Sequence, residues 1–276
     1  MLKKIKDHPY LRECFSDYLG WLFHGCNEAR REYDPVYMKV SSGYGLDALE
    51  DDFRQAGETL GLNESEFCKI FRLNCDRNKN EVLKVGDLLA EPWVAVALKE
   101  SGFQLIRKVS KNNGKFADLI AEYGSRKFAI EVKNIRTDPN YHKWLVDTLH
   151  AERNSLISAY NPDGRDLLHK EEDILTQALE KKLCSEERKK IEAQLRNTAK
   201  VHKCKETMLV LYLEAFILGE FPNAISTCLD EARTKFSFCG IWTKLPLCLK
   251  LILKRPVVNY LGCCINNKIV YSPSLS

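Results

Sequence analysis

Two adjacent strand-like runs constrain this chain more than any other feature. Phe116-Ala-Asp118-Leu-Ile-Ala-Glu122 is followed by the turn Tyr123-Gly124-Ser125 and then by Arg126-Lys-Phe-Ala-Ile-Glu131-Val-Lys133. The Gly-Ser turn between aliphatic runs reads as a β-hairpin. Each run carries charge where its neighbours predict burial. A carboxylate inside an apolar strand costs stability unless it is paired, hydrogen-bonded or bound to a metal. Side chains of a strand alternate faces, so Glu131 and Lys133 share one side while Ile130 and Val132 take the other. Pairing across the turn brings Asp118 near both Glu131 and Lys133. The expected product is two carboxylates and one ammonium gathered on a sheet.

Oxygen donors of this kind suit Mg²⁺ or Mn²⁺ and need no Cys or His. At these residues the chain resembles the PD-(D/E)XK superfamily of restriction-endonuclease-like nucleases, with Asp118 as the lone acid of the second core strand and Glu131-Val132-Lys133 as the E-x-K of the third. Ala117 precedes the aspartate where the family often has Pro or another hydrophobic residue. The resemblance covers roughly residues 86 to 213. It implies an α/β fold with a restriction-endonuclease-like core: a helix, a three-strand meander, a helix and a strand, in a mixed sheet. It further implies that Asp118, Glu131 and the Val132 carbonyl ligate the metal, and that Lys133 contacts the attacking water or the scissile phosphate.

The surrounding order of elements agrees with that expectation. Residues 86–101 read as a helix with Leu88, Leu89, Val94, Ala97 and Leu98 apolar, closed by Gly102. Pro92 fits the first turn of its continuing part, which puts Glu91 at or before the N-cap. In the family a Glu of this helix often points at the metal; an acid favoured by the helix dipole explains Glu91 equally well. Residues 103–109 form the first strand. Residues 141–160 read as a helix with Trp144 and Leu149 on its apolar side, Asn161-Pro-Asp-Gly164 as a turn, and residues 171–201 as one long charged helix. The family's helix after E-x-K donates a Gln or Lys to the site, and Gln177, Lys181, Lys190 and Gln194 are all candidates. Met208–Leu213 is a continuous apolar run, the mark of a strand buried on both faces.

Residues 1–85 form a helical N-terminal region, read as recognition or regulation, and 86–276 the nuclease-like domain with a basic C-terminal extension. Helices are expected at 17–33, at 46–60 (stopped by Gly61) and from the capping-box pattern Asn63-Glu-Ser-Glu66 onward. The spacing from Gln55 to Arg72, with Ile70 on the core side, is reminiscent of a helix-turn-helix, although a plain helical hairpin accounts for it as well. Residues 222–232 read as a further helix. Near the end, 257–264 and 269–271 are expected to pair across Asn266-Asn267.

Charge and cysteine content bound the rest. The net charge is +4, and no Asp or Glu follows Glu231. Lys244, Lys250, Lys254 and Arg255 sit among aromatic residues in this basic end and suit a phosphate backbone; an apolar subdomain with a basic surface fits as well. No apolar run reaches the length of a membrane span, about 18 residues. The 11 cysteines follow no framework, which favours free buried thiols in a reducing, cytoplasmic setting. NTPase, dinucleotide and zincin motifs are absent from the sequence.

The expected function is a Mg²⁺-dependent phosphodiester hydrolase acting on DNA, an endonuclease of a restriction, anti-phage or repair type, with RNA left open. The family also implies a two-fold dimer or a larger complex. The rival expectation is a non-catalytic nucleic-acid-binding or protein-interaction subunit on the same fold.

Overall fold

The computed structural model of the chain describes residues 7–24, 45–71, 82–109, 115–135, 176–213, 247–265 and 268–272. Their elements run α1 (Pro9–His24), α2 (Gly45–Leu60), α3 (Glu64–Ile70), α4 (Val82–Glu100), β1 (Gln104–Lys108), β2 (Leu119–Tyr123), β3 (Arg126–Ile135), α5 (Ser185–His202), β4 (Glu206–Leu213), α6 (Leu247–Leu253), β5 (Tyr260–Ile265) and β6 (Lys268–Ser272). The expected helices at 141–160 and 222–232, the turn at 161–164, Lys244 and the Asn266-Asn267 turn lie outside the described residues.

One mixed sheet holds the strands in the order β1-β2-β3-β4-β5-β6. β1, β2 and β3 form an antiparallel meander, β4 lies parallel to β3 and β5 parallel to β4, and β6 closes antiparallel on β5. Parallel neighbours need a crossover; α5 belongs to the one between β3 and β4, and α6 to the one between β4 and β5. The chain is therefore α/β, with helices on both faces of the sheet.

Two apolar cores follow from the alternation of strand side chains. Met208, Val210 and Tyr212 of β4 join Ile130 and Val132 of β3 in a core with α4 and with α1, α2 and α3. Leu209, Leu211 and Leu213 join Ala129 and Ile135 in a second core, under α5 and α6. The uninterrupted apolar run of β4 is what burial on both faces demands.

Several boundaries differ from the sequence reading. α1 starts at Pro9, not near residue 17. The buried Glu50 carboxylate of α2 accepts from the Tyr10 and Leu11 N–H groups at 3.0 and 2.9 Å, satisfying donors that a helix start leaves open. That cap comes from about 40 residues away and leaves no local signal. α4 begins at Val82 and continues through Pro92, so Glu91 lies inside the helix rather than at its N-cap. An interior proline costs about 3 kcal/mol. Burial of Trp93 through Leu98 between α2 and the sheet outweighs it. The long helix expected over 171–201 breaks at Leu183–Cys184, and α5 restarts with Glu186 and Glu187 in its first turn, where the dipole favours acids. Ile70 is 41% exposed, not on the core side.

Other signals hold. Gly61, at φ +67°, follows the end of α2, and Asn63 with Glu66 forms the full capping box of α3. β5 and β6 pair as expected. Among the described residues no helix is long and apolar enough to cross a membrane.

The free-thiol expectation is corrected at one pair: Cys14 of α1 and Cys68 of α3 form a disulfide. They are 54 residues apart, and close approach of the two helices, not spacing, brings them together. Closing a loop of that length restricts the unfolded chain by about 4 kcal/mol on the loop-entropy account. Reductant is expected to lower the urea midpoint of the wild-type protein, while Cys14→Ser/Cys68→Ser starts low and does not respond; equal midpoints in all conditions would show that the bridge contributes nothing.

Candidate active site

The β2–β3 ladder runs from Tyr123↔Arg126 at the turn to Leu119↔Ile130 and stops there. Gly124 takes φ +58°, which an L side chain rarely adopts and which a two-residue hairpin turn requires. Asp118 stands one residue before β2, not within it as the sequence implied, because the chain bends away at that point. Its carboxylate replaces the lost ladder partner: Oδ2 accepts from the Val132 N–H at 2.8 Å. Its backbone carbonyl accepts from the Val109 N–H at 2.9 Å on the other side. Asp118, only 2% exposed, thus links the segment leaving β1 to the middle of β3.

The segment entering Asp118 is held by one face of α5. Asn197 Nδ2 donates to the Lys115 carbonyl, Gln194 Nε2 to the Phe116 carbonyl, and Thr198 Oγ1 accepts from the Ala117 N–H at 2.7 Å. Positions 194, 197 and 198 are one turn apart and share a helix face. Of the four candidates for the helix's contribution, Gln194 is the one buried here; Gln177, Lys181 and Lys190 are exposed. Gln194 acts on the backbone before Asp118, as a positioning residue.

Glu131 and Lys133 occupy the face of β3 that looks at α5. Both are buried, and Lys133 Nζ lies 2.9 Å from Glu131 Oε1 and 2.8 Å from Glu187 Oε1 of α5. Burial by itself lowers the pKa of Lys133, but the Glu131 carboxylate and the bond to Glu187 outweigh it and hold the ammonium above its usual range. Burial by itself raises Glu187; the hydrogen bond and charge of Lys133, with Lys190, bring it net below the ordinary carboxylate value. Both groups are charged at neutral pH. Val132 turns its side chain to the opposite core and offers only its backbone here.

Glu91 reaches the same region from α4. Lys108, at the end of β1, pairs with Glu91 Oε2, and its Nζ lies 3.9 Å from Asp118 Oδ1. The structure therefore gathers two linked groups around the end of the ladder, Glu91–Lys108–Asp118 and Glu131–Lys133–Glu187. Lys108 and Glu187 were not identified from the sequence. Glu187 sits in a charge run that resembles a solvated helix face, and its only signal is its place in the first turn after the break.

Among the described residues, the basic C-terminal candidates make no ion pair with this group. Lys250 and Lys254 are exposed on and after α6, and Arg255 Nε pairs with Glu192 Oε1 of α5 at 3.2 Å. Cysteine chemistry has no foothold in β5, where burial pushes the Cys263 thiol up to about 12 and Cys264 higher than usual too.

Among the described residues no three His, Cys, Asp or Glu side chains gather closely enough to hold a metal ion by themselves. The donors of Asp118 and Glu131 are hard carboxylate oxygens, and Mg²⁺ is commonly held by one or two such groups with water and substrate phosphate completing its shell. The residues present fit that ion on those terms. No protein-family model, curated protein or solved structure matches the chain.

Two outcomes test this geometry. Thr198→Val keeps the shape but leaves the buried Ala117 N–H without its acceptor, so unfolding stability should fall by about 1–3 kcal/mol, measured by denaturant titration. The second is a pH dependence. Glu187 is depressed, so its contribution is present above its ordinary value of 4.5 and is lost as pH falls through the lowered value. Lys133 is raised, so its contribution is full below 10.5 and is lost as pH rises through the higher value. The stability gap between wild type and Glu187→Gln should be flat near neutrality and shrink at both extremes; a gap independent of pH would contradict the pairing.

Proposed function

We propose that the chain is a divalent-metal-dependent phosphodiester hydrolase, a nuclease of the PD-(D/E)XK kind. The observation that carries this reading is the burial of Asp118 and Glu131, each 2% exposed, at the end of the β2–β3 ladder, with the Lys133 ammonium against Glu131 and the Lys108 ammonium 3.9 Å from Asp118. Buried ion pairs add little stability over apolar packing and are costly to leave incomplete. Buried acids with a charged partner at one point of a sheet are candidates for a functional site. The order α4, β1, β2, β3, α5, β4 supports the same reading, being the order that the resemblance implies for the core.

On this reading Asp118 and Glu131 would hold the ion, with the Val132 carbonyl as the further ligand that the resemblance implies. When bound, Mg²⁺ would lower the pKa of a coordinated water and offset charge on the phosphate. Lys133 stays protonated and donates to a phosphate oxygen, an electrostatic role rather than that of a base. Glu187 fixes the direction of that ammonium from α5. Glu91 and Lys108 close the other side of Asp118. DNA is the substrate favoured by the resemblance, and Lys244, Lys250, Lys254 and Arg255 are the backbone contacts it would use.

The second reading, a nucleic-acid-binding subunit without turnover, is favoured by one observation: Lys108 and Lys133 already neutralise carboxylates on both sides of the cluster. A cleavage assay on plasmid and single-stranded DNA and on RNA, with Mg²⁺, Mn²⁺ or EDTA, decides between them. The hydrolase reading expects metal-dependent products, none above background from Asp118→Asn or Glu131→Gln, and a loss of about 100- to 1,000-fold for Lys133→Ala. Nucleic acid bound but uncut in every metal supports the subunit.

A further inference from the structure

A cleft of about 1010 Å³ opens between the α2–α3 turn and the edge strand β1, and Glu91 and Lys108 line its inner wall. Its size matches sites that take a small organic ligand, about 300–1,000 Å³. Five large hydrophobic side chains are exposed among the described residues, and two of them, Ile70 at 41% and Leu105 at 59%, line this cleft. Leu105 has φ +48°, a left-handed conformation unusual for leucine. It stands in the register shift of β1 between Gln104 and Arg107. A bulge of this kind re-aims a side chain, and backbone strain concentrates where a site uses it.

Polar groups accompany the apolar wall. Arg107 lines the cleft, is exposed and makes no ion pair among the described residues. Thr59 also lines it, is 8% exposed, and its buried Oγ1 makes no hydrogen bond among the described residues. Glu91 and Lys108 pair on its lining, and Lys108 Nζ lies 3.9 Å from Asp118 Oδ1 behind it. A ligand that spans the cleft therefore has a flat or compact apolar part against Ile70 and Leu105, an anionic part near Arg107, and a continuation toward the carboxylates.

We propose that this cleft takes an unpaired nucleobase of the nucleotide next to the scissile phosphate, so that the substrate is single-stranded or locally opened nucleic acid. The inference rests on the hydrolase reading for the position of that phosphate. A base inside a duplex is stacked and paired, and it reaches such a wall only once it is splayed out. Arg107 neutralises the adjoining phosphate, and the N-terminal helices supply the outer wall through Ile70 and Thr59.

The test is fluorescence anisotropy in EDTA with a short labelled single-stranded oligonucleotide and with a series in which one base at a time is removed. For wild type, one abasic position is expected to weaken binding roughly tenfold, about 1.4 kcal/mol. Leu105→Gly removes the side chain while glycine accepts the positive φ without strain, so its Tm should not fall and its discrimination should vanish. Should its Tm fall, Ile70→Ser, at an exposed position, is read in its place with the same expectation. Leu105→Met, which keeps an apolar side chain, should retain discrimination. Equal binding of intact and abasic strands by wild type, no binding of either, or full discrimination by Leu105→Gly overturns the proposal. Mg²⁺-dependent cleavage measured in parallel separates the two readings. Cleavage without base discrimination removes the cleft and leaves the hydrolase; discrimination without cleavage does the reverse.

Discussion

A strand covered on both faces must bury every side chain it carries, and β3 carries two charges there. That constraint organises the middle of the molecule. Glu131 and Lys133 are largely withdrawn from bulk water, so they pair with each other on β3 and with a group from the helix that packs against this face. Lys133 lies between Glu131 and the Glu187 of α5, and the first turn of α5 has to be where it is for that pairing to form. An apolar residue at either position would ask for less. The retention of charge in this layer is the physical ground for reading a site there.

α5 serves this region at two levels. Its first turn supplies Glu187, and its middle supplies Gln194, Asn197 and Thr198 to the backbone that leads into Asp118. One rigid helix therefore sets the direction of the ammonium and the place of the carboxylate together. Asp118 itself fills a gap in the ladder: where β2 departs, the side chain accepts the N–H that a strand carbonyl would have taken. A polar group in an apolar layer is thereby given a structural bond as well as a chemical opportunity.

The N-terminal helices share an apolar cluster with α4 and the sheet. Glu50 caps α1, the Cys14–Cys68 bridge ties α1 to α3, and the α2–α3 turn forms a wall beside Glu91 and Lys108. These helices thereby help shape the approach to the carboxylate cluster from the β1 side.

Local chemistry was enough to read the hairpin with its Gly124 turn, the apolar β4, the stop at Gly61, the capping box at Asn63 and the α/β class, because each depends on residues within a few positions of one another. The Glu131–Lys133 pair was legible for the same reason, since strand period puts both on one face of β3; Asp118 stands at the end of the same hairpin, where it meets the Val132 N–H and Lys108. What the sequence could not show was which distant groups meet them. Lys108, Glu187 and the selection of Gln194 depend on how α4 and α5 lie on the sheet, and a charged helix face has the same pattern whether one turn points to water or to a buried ammonium. The start of α1, the course of α4 through Pro92, the bridge between Cys14 and Cys68 and the exposure of Ile70 are likewise outcomes of packing. Each is settled by contacts between segments far apart in the chain, whose energies exceed the local preferences that the sequence displays.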